Sequence, residues 1–147
     1  MTGEAEPRTD GEPQAGTAEA AGLAGIAGLS LSRALLFLPN RELLFAQLLR
    51  QFVHSYADGA ALQLQALDHG DAGHAIGWLH ALRGACGAVG ALALQDQAQA
   101  LERALAADRD ASSERRTARC LALRGDAAAL LQALAALTTE ISARLPR

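Results

Sequence analysis

Between Gly73 and Ala91, apolar residues recur at intervals of four and three: Ala75, Leu79, Leu82, Cys86 and Val89. That period lines them up along one stripe of an α-helix, whereas in a strand they would alternate between faces. The same stretch is crowded with glycine. Gly73, Gly77, Gly84 and Gly87 stand at minus seven, minus three, plus four and plus seven from His80, on its own side of the helix, and Arg83 stands at plus three. A glycine inside a helix costs about 1 kcal/mol relative to alanine. A sequence that accepts this cost around one histidine leaves bare backbone beside the imidazole, with a fixed cation next to it. Access for a large partner is one account of that pattern. Close helix packing through the glycines is a second, and no helix at all is a third.

The rest of the chain repeats the helical period. Residues 1–27 are rich in Gly, Ala, Glu, Thr and Pro and are expected to form a disordered tail, with one domain over residues 28–147. Ser32 can cap a short helix that ends at Leu38, because Pro39 disfavours the helical conformation in the residue before it. Asn40 is the expected N-cap of a long helix over Arg41–Leu67, with Phe45, Leu48, Phe52, Tyr56, Gly59 and Leu62 facing inward and His54 off the stripe. Asp68-His69-Gly70 reads as a turn, and Asp71 as the cap of the helix that carries His80.

That helix is expected to stop between Ala88 and Gly90. The next covers Ala91–Ala107, with Leu94, Ala98, Leu101 and Leu105 on its core stripe and Gln95, Gln99 and Glu102 on a polar stripe beside it. Residues 113–124 read as a short arginine-rich helix with no evident role, and Gly125-Asp126 as a break and cap. A last helix to Arg144 presents Leu130, Leu134, Leu137, Ile141 and Leu145 on one face. Half the residues are hydrophobic and only 3% aromatic, a balance that favours helices over sheets. The fold class expected is all-α, an antiparallel four-helix bundle.

Several functions are excluded on composition and spacing. The net charge of −3 lacks the basic excess of a nucleic-acid binder. No 18-residue apolar run is read in the sequence, so no transmembrane helix and no membrane insertion are expected. The N-terminus has no signal-peptide pattern, and Cys86 and Cys120 lack CxxC spacing and read as small apolar residues in a reducing compartment. The localisation expected is cytoplasmic. His69, His74 and His80 are five and six residues apart, so no pair shares a two-ligand helix face and no metal site is expected. Phosphate-binding loops, GxGxxG and His-Glu-x-x-His are all missing.

The run His80-Ala81-Leu82-Arg83-Gly84-Ala85-Cys86-Gly87-Ala88-Val89-Gly90 resembles the signature of histidine phosphotransfer (HPt) domains of bacterial two-component phosphorelays. That signature is His, any, hydrophobic, Lys or Arg, Gly, small, small, Gly, any, hydrophobic, Gly. The run from Gly28 to Phe52 is similar to the opening of such domains in hybrid sensor kinases, which implies a short N-terminal helix packed across one end of the bundle. The Ala100-Leu101-Glu102 triplet is similar to the end of the HPt motif.

The resemblance implies that His80 is the phosphorylated residue and that Arg83 helps neutralise the phosphoryl charge. It implies that Glu102 or Gln99 holds the other ring nitrogen, and that Gly77, Gly84 and Gly87 form a docking face. The partners implied are response-regulator receiver domains and a hybrid sensor histidine kinase, with Mg²⁺ on the receiver and no cofactor on this chain. A neutral imidazole is available as a nucleophile near neutral pH. The glycine boxes of an ATP-binding kinase domain are missing, so the expected role is a phosphocarrier rather than an enzyme. The competing reading is a helical module that docks a receiver or kinase without transferring phosphate; a purely structural helical oligomer would leave the glycines around His80 unexplained.

Overall fold

The computed structural model describes residues 29–30 and 42–145. These form five helices: α1 (Glu42–Tyr56), α2 (Ala60–Asp68), α3 (Ala72–Val89), α4 (Leu92–Ala106) and α5 (Ser113–Arg144). No strand occurs among the described residues. α1 and α2 follow one another and together make the first column of a bundle; α3, α4 and α5 are the other three. α3 packs most extensively on α4, and α5 touches every other helix. The core between them holds Phe45, Leu49, Leu82, Cys86, Leu105 and Ile141, all buried.

The ends of α3 are set by local chemistry. Asp71 Oδ1 accepts from the His74 backbone N–H at 3.1 Å and fills one of the vacant positions at the helix start. At the other end Gly90 adopts φ 79°, a left-handed turn that glycine takes without strain. There the Ala91 N–H donates to the Cys86 carbonyl at 2.8 Å and the Gly90 N–H to the Gly87 carbonyl at 3.4 Å. The chain thereby reverses within two residues and α4 returns along α3. Before α1, the Ser30 N–H donates to the Gly90 carbonyl at 2.8 Å, and Leu29 packs against the core.

Four expectations need correction. The long helix over Arg41–Leu67 is two helices, because Gly59 sits at φ 112° and caps α2 rather than continuing α1. Leu62, expected to face inward, is 63% exposed, and Gln63 holds the buried place. The break at Gly59 resets the helical phase, so the stripe of α1 does not carry into α2, and apolarity alone points to the wrong neighbour. Gly125-Asp126 is not a break. α5 runs through it as one helix of 32 residues. Gly125 is exposed, and Cys120 and Ala127 on either side are buried, so packing outweighs the cost of about 1 kcal/mol for one helical glycine.

The fourth correction concerns hydropathy. α5 contains an 18-residue window, mean hydropathy 1.4, that is long and apolar enough by composition to cross a membrane. Of its large side chains, Leu130, Leu134, Leu137 and Ile141 are buried in the bundle, while exposed Leu121 and exposed alanines such as Ala133 and Ala136 raise the average. The expected cap at Ser32, the helix to Leu38 and the cap at Asn40 lie outside the described residues.

The arginine-rich start of α5 has a structural role. Arg119 Nε lies 2.7 Å from Asp108 Oδ2 and Arg115 Nε 3.6 Å from Oδ1, fastening the α4–α5 connection to α5. Arg124 Nε lies 2.6 Å from Asp68 Oδ1 and ties the end of α2 to the same helix. The hydrogen bond from Arg119 holds the Asp108 carboxyl below the ordinary aspartate range, with the charges of Arg119 and Arg115 acting in the same direction.

Candidate functional site

The apolar stripe of α3 faces inward as its spacing requires: Ala75, Leu79, Leu82, Cys86 and Val89 are all buried. His80 is therefore turned out, in the middle of the helix, with its side chain 65% exposed. The glycines around it are not equivalent. A Cβ on Gly77 or Gly84 would meet nothing within 4 Å, so both lie on open surface. A Cβ on Gly87 would come within 2.9 Å of Gln95 Nε2 on α4, so that glycine gives room to a neighbouring helix. Ala81 and Ala88 are exposed on the same side and extend the low-profile surface along α3. The family signature singles out neither alanine; their small side chains at helical spacing are the signal that marks them.

Two side chains meet the imidazole, both at Nδ1. Glu102, from α4, places Oε1 3.1 Å away. Arg83, one turn along α3, places Nη2 at 3.0 Å. The carboxylate is mostly buried, with its side chain 15% exposed. Its Oε2 is buried and makes no hydrogen bond; Arg83 Nη1 faces it at 3.5 Å, an ion-pair distance. Gln99, one turn before Glu102, is half-buried, and the described contacts of the imidazole do not include it. None of them engages Nε2 either.

A neutral imidazole carries one N–H and one bare nitrogen. When Nδ1 donates to Glu102, Nε2 keeps its lone pair and points into solvent as a nucleophile. The mostly buried carboxylate thus favours the tautomer whose reactive nitrogen is outermost. Arg83 brings a permanent charge beside any anion that reaches this surface.

The cysteines stand apart from this chemistry. Both are free and buried, and burial pushes the Cys86 thiol up to about 12 and raises that of Cys120. Neither is a ready thiolate nucleophile. Among the described residues no three His, Cys, Asp or Glu side chains converge as a metal ion would need.

The model of the Hpt domain family matches residues 47–141, well over half of the chain. No curated protein and no solved structure matches it.

Proposed function

The chain belongs to the Hpt domain family, whose members serve histidine phosphotransfer in phosphorelays, and from that premise we propose that His80 is its phosphoryl-carrying residue. The observation that carries this reading is the exposed imidazole with Nδ1 held by Glu102 and Nε2 left to solvent. A receiver domain docks over the surface that holds Gly77 and Gly84, where even an added Cβ would meet nothing within 4 Å. Gly87 widens that surface indirectly, by letting Gln95 lie close to α3.

In the forward step the Nε2 lone pair forms a bond to phosphorus, and the bond from phosphorus to the receiver's aspartate oxygen breaks. The electron pair leaves with that carboxylate. The Nδ1 proton remains on the ring and faces Glu102, which offsets the positive charge the ring acquires. Arg83 turns its guanidinium to the phosphoryl oxygens. A second receiver then takes the group by the reverse chemistry. In this reading Mg²⁺ belongs to the receiver, a hybrid sensor histidine kinase is the upstream source, and the chain works in the cytoplasm as a carrier of a covalent intermediate.

The test is to incubate the protein with a phosphorylated receiver and locate the acid-labile label. Label is expected on His80 and lost in His80→Gln. Undiminished uptake by His80→Gln would remove His80 from this role, and a folded wild type that binds receivers without ever taking up label would favour the docking module.

A further inference from the structure

The two contacts at His80 Nδ1 are mutually exclusive. Glu102 Oε1, 3.1 Å away, accepts a hydrogen bond and needs a proton on Nδ1. Arg83 Nη2, 3.0 Å away, only donates and needs Nδ1 bare, which places the ring proton on Nε2. One nitrogen cannot serve both at once. We propose that Arg83 is a tautomer switch: in the resting protein it competes with Glu102 for Nδ1 and holds part of the His80 population in the Nε2–H form, which cannot attack. The inference rests on His80 being the phosphorylated residue and concerns how its readiness is regulated.

Arg83 Nη1 already faces Glu102 Oε2 at 3.5 Å, and an arriving anion offers Nη2 a partner in place of Nδ1. The Arg83 side chain is 30% exposed and stems from the helix that carries His80, so the guanidinium can exchange Nδ1 for an oxygen at the outer edge of the ring. A phosphoryl group offers it charge-assisted hydrogen bonds, stronger than one to a neutral ring nitrogen. As Arg83 leaves, Nδ1 turns to Glu102, and the ring proton moves from Nε2 to Nδ1 through water, which reaches the exposed imidazole. The nucleophile is thereby exposed by the group it will attack. An incompetent form lowers the apparent rate by the fraction it occupies, and a partner that removes it recovers that factor. Arg83 in this role is a positioning residue for the resting ring and a charge partner for the phosphoryl group.

The test reads the tautomer directly, on unphosphorylated protein carrying ¹⁵N-labelled histidine, at about pH 8.5, where an imidazole is ordinarily neutral. The ring ¹⁵N shifts of His80 give the ratio of Nδ1–H to Nε2–H. We expect Arg83→Ala to raise that ratio at least about fivefold, the scale of one lost hydrogen bond. Arg83→Met, which keeps the aliphatic stem, should do the same, and Glu102→Ala should lower the ratio. Far-UV circular dichroism and thermal unfolding of each variant report whether the fold is intact. A ratio that stays put in both Arg83 variants overturns the switch, as does one that falls. Mapping of label to His80 is a separate measurement. Label on His80 with an unchanged ratio leaves the carrier standing without its switch, whereas a shifted ratio without label keeps the competition at Nδ1 and removes the carrier.

Discussion

Glu102 reaches the ring of His80 across the α3–α4 interface, 3.1 Å from Nδ1 although 22 residues separate the two in the chain. The site is thus a property of the two helices as a pair. Its precision depends on the core the two helices share, in which Leu82 and Cys86 of α3 and Leu94, Ala98 and Leu101 of α4 are buried in one cluster. The Gly90 turn fixes the phase at which the polar stripe of α4 meets His80.

If the carboxylate selects the reactive tautomer, its acceptor oxygen matters more than its charge. Glu102→Gln retains an oxygen and should transfer within a few-fold of wild type. Glu102→Ala should slow single-turnover transfer roughly tenfold, equivalent to about 1.4 kcal/mol in the barrier. Equal rates for Glu102→Ala and wild type would show that the contact does not prepare the ring.

Gly84 and Gly87 should respond differently to the same substitution. Gly84→Ala adds a methyl group to open, helical surface and should raise stability by about 0.4–1 kcal/mol in chemical denaturation. Gly87→Ala must displace the flexible end of Gln95, so its gain should be smaller or vanish. Gly84→Gln should stay folded while slowing transfer from a receiver about tenfold or more; undiminished transfer would place the docking surface elsewhere.

The helix boundaries predict opposite signs at two other glycines. Gly59, at φ 112°, should lose about 1–2 kcal/mol as Gly59→Ala, because a Cβ strains that backbone even in open space. Gly125, inside α5, should gain about 1 kcal/mol as Gly125→Ala. Destabilisation by Gly125→Ala would mean that the helix does break there.

The ion pairs at Asp108 make stability depend on acidity. Its carboxyl titrates below the ordinary aspartate value in the folded protein, chiefly through the Arg119 hydrogen bond. The unfolded chain therefore takes up that proton first as pH falls. The stabilisation is complete above the ordinary aspartate value and is lost as pH drops through the lower, folded one. Thermal unfolding should show Asp108→Asn less stable than wild type at neutral pH, with the gap closing as pH falls below the ordinary aspartate range. A gap that is constant with pH would assign the loss to packing.

Much of this architecture is legible in the amino-acid order. The stripe from Ala75 to Val89 and the stripe from Leu94 to Leu105 define two helices and the outward direction of His80, because helical spacing admits one buried side. Asp71 and Gly90 announce the ends of α3 by residue type alone. The break at Gly59 is not legible, since a glycine in register with an apolar stripe reads equally as a small core residue. Gly125 misleads in the other direction, as a glycine-aspartate pair is a stop signal until burial on both sides overrides it. The contacts of Arg115, Arg119 and Arg124 need tertiary structure, because Asp108 and Asp68 come from other parts of the chain. Glu102 falls on the right stripe together with Gln99, but only the helix pairing decides which of the two reaches the ring.

His80 is the ninth of the eighteen residues of α3, two turns from either end. The partial charges of a helix act within its first and last turns, so the backbone lends almost nothing to a dianion at this position. A phosphoryl group there would rest on water and the single side chain of Arg83, without the ring of amide donors that makes phosphate-binding loops tenacious. Such loose custody suits a relay. A group held this lightly stays high enough in free energy to be handed onward, and for the same reason it can be handed back.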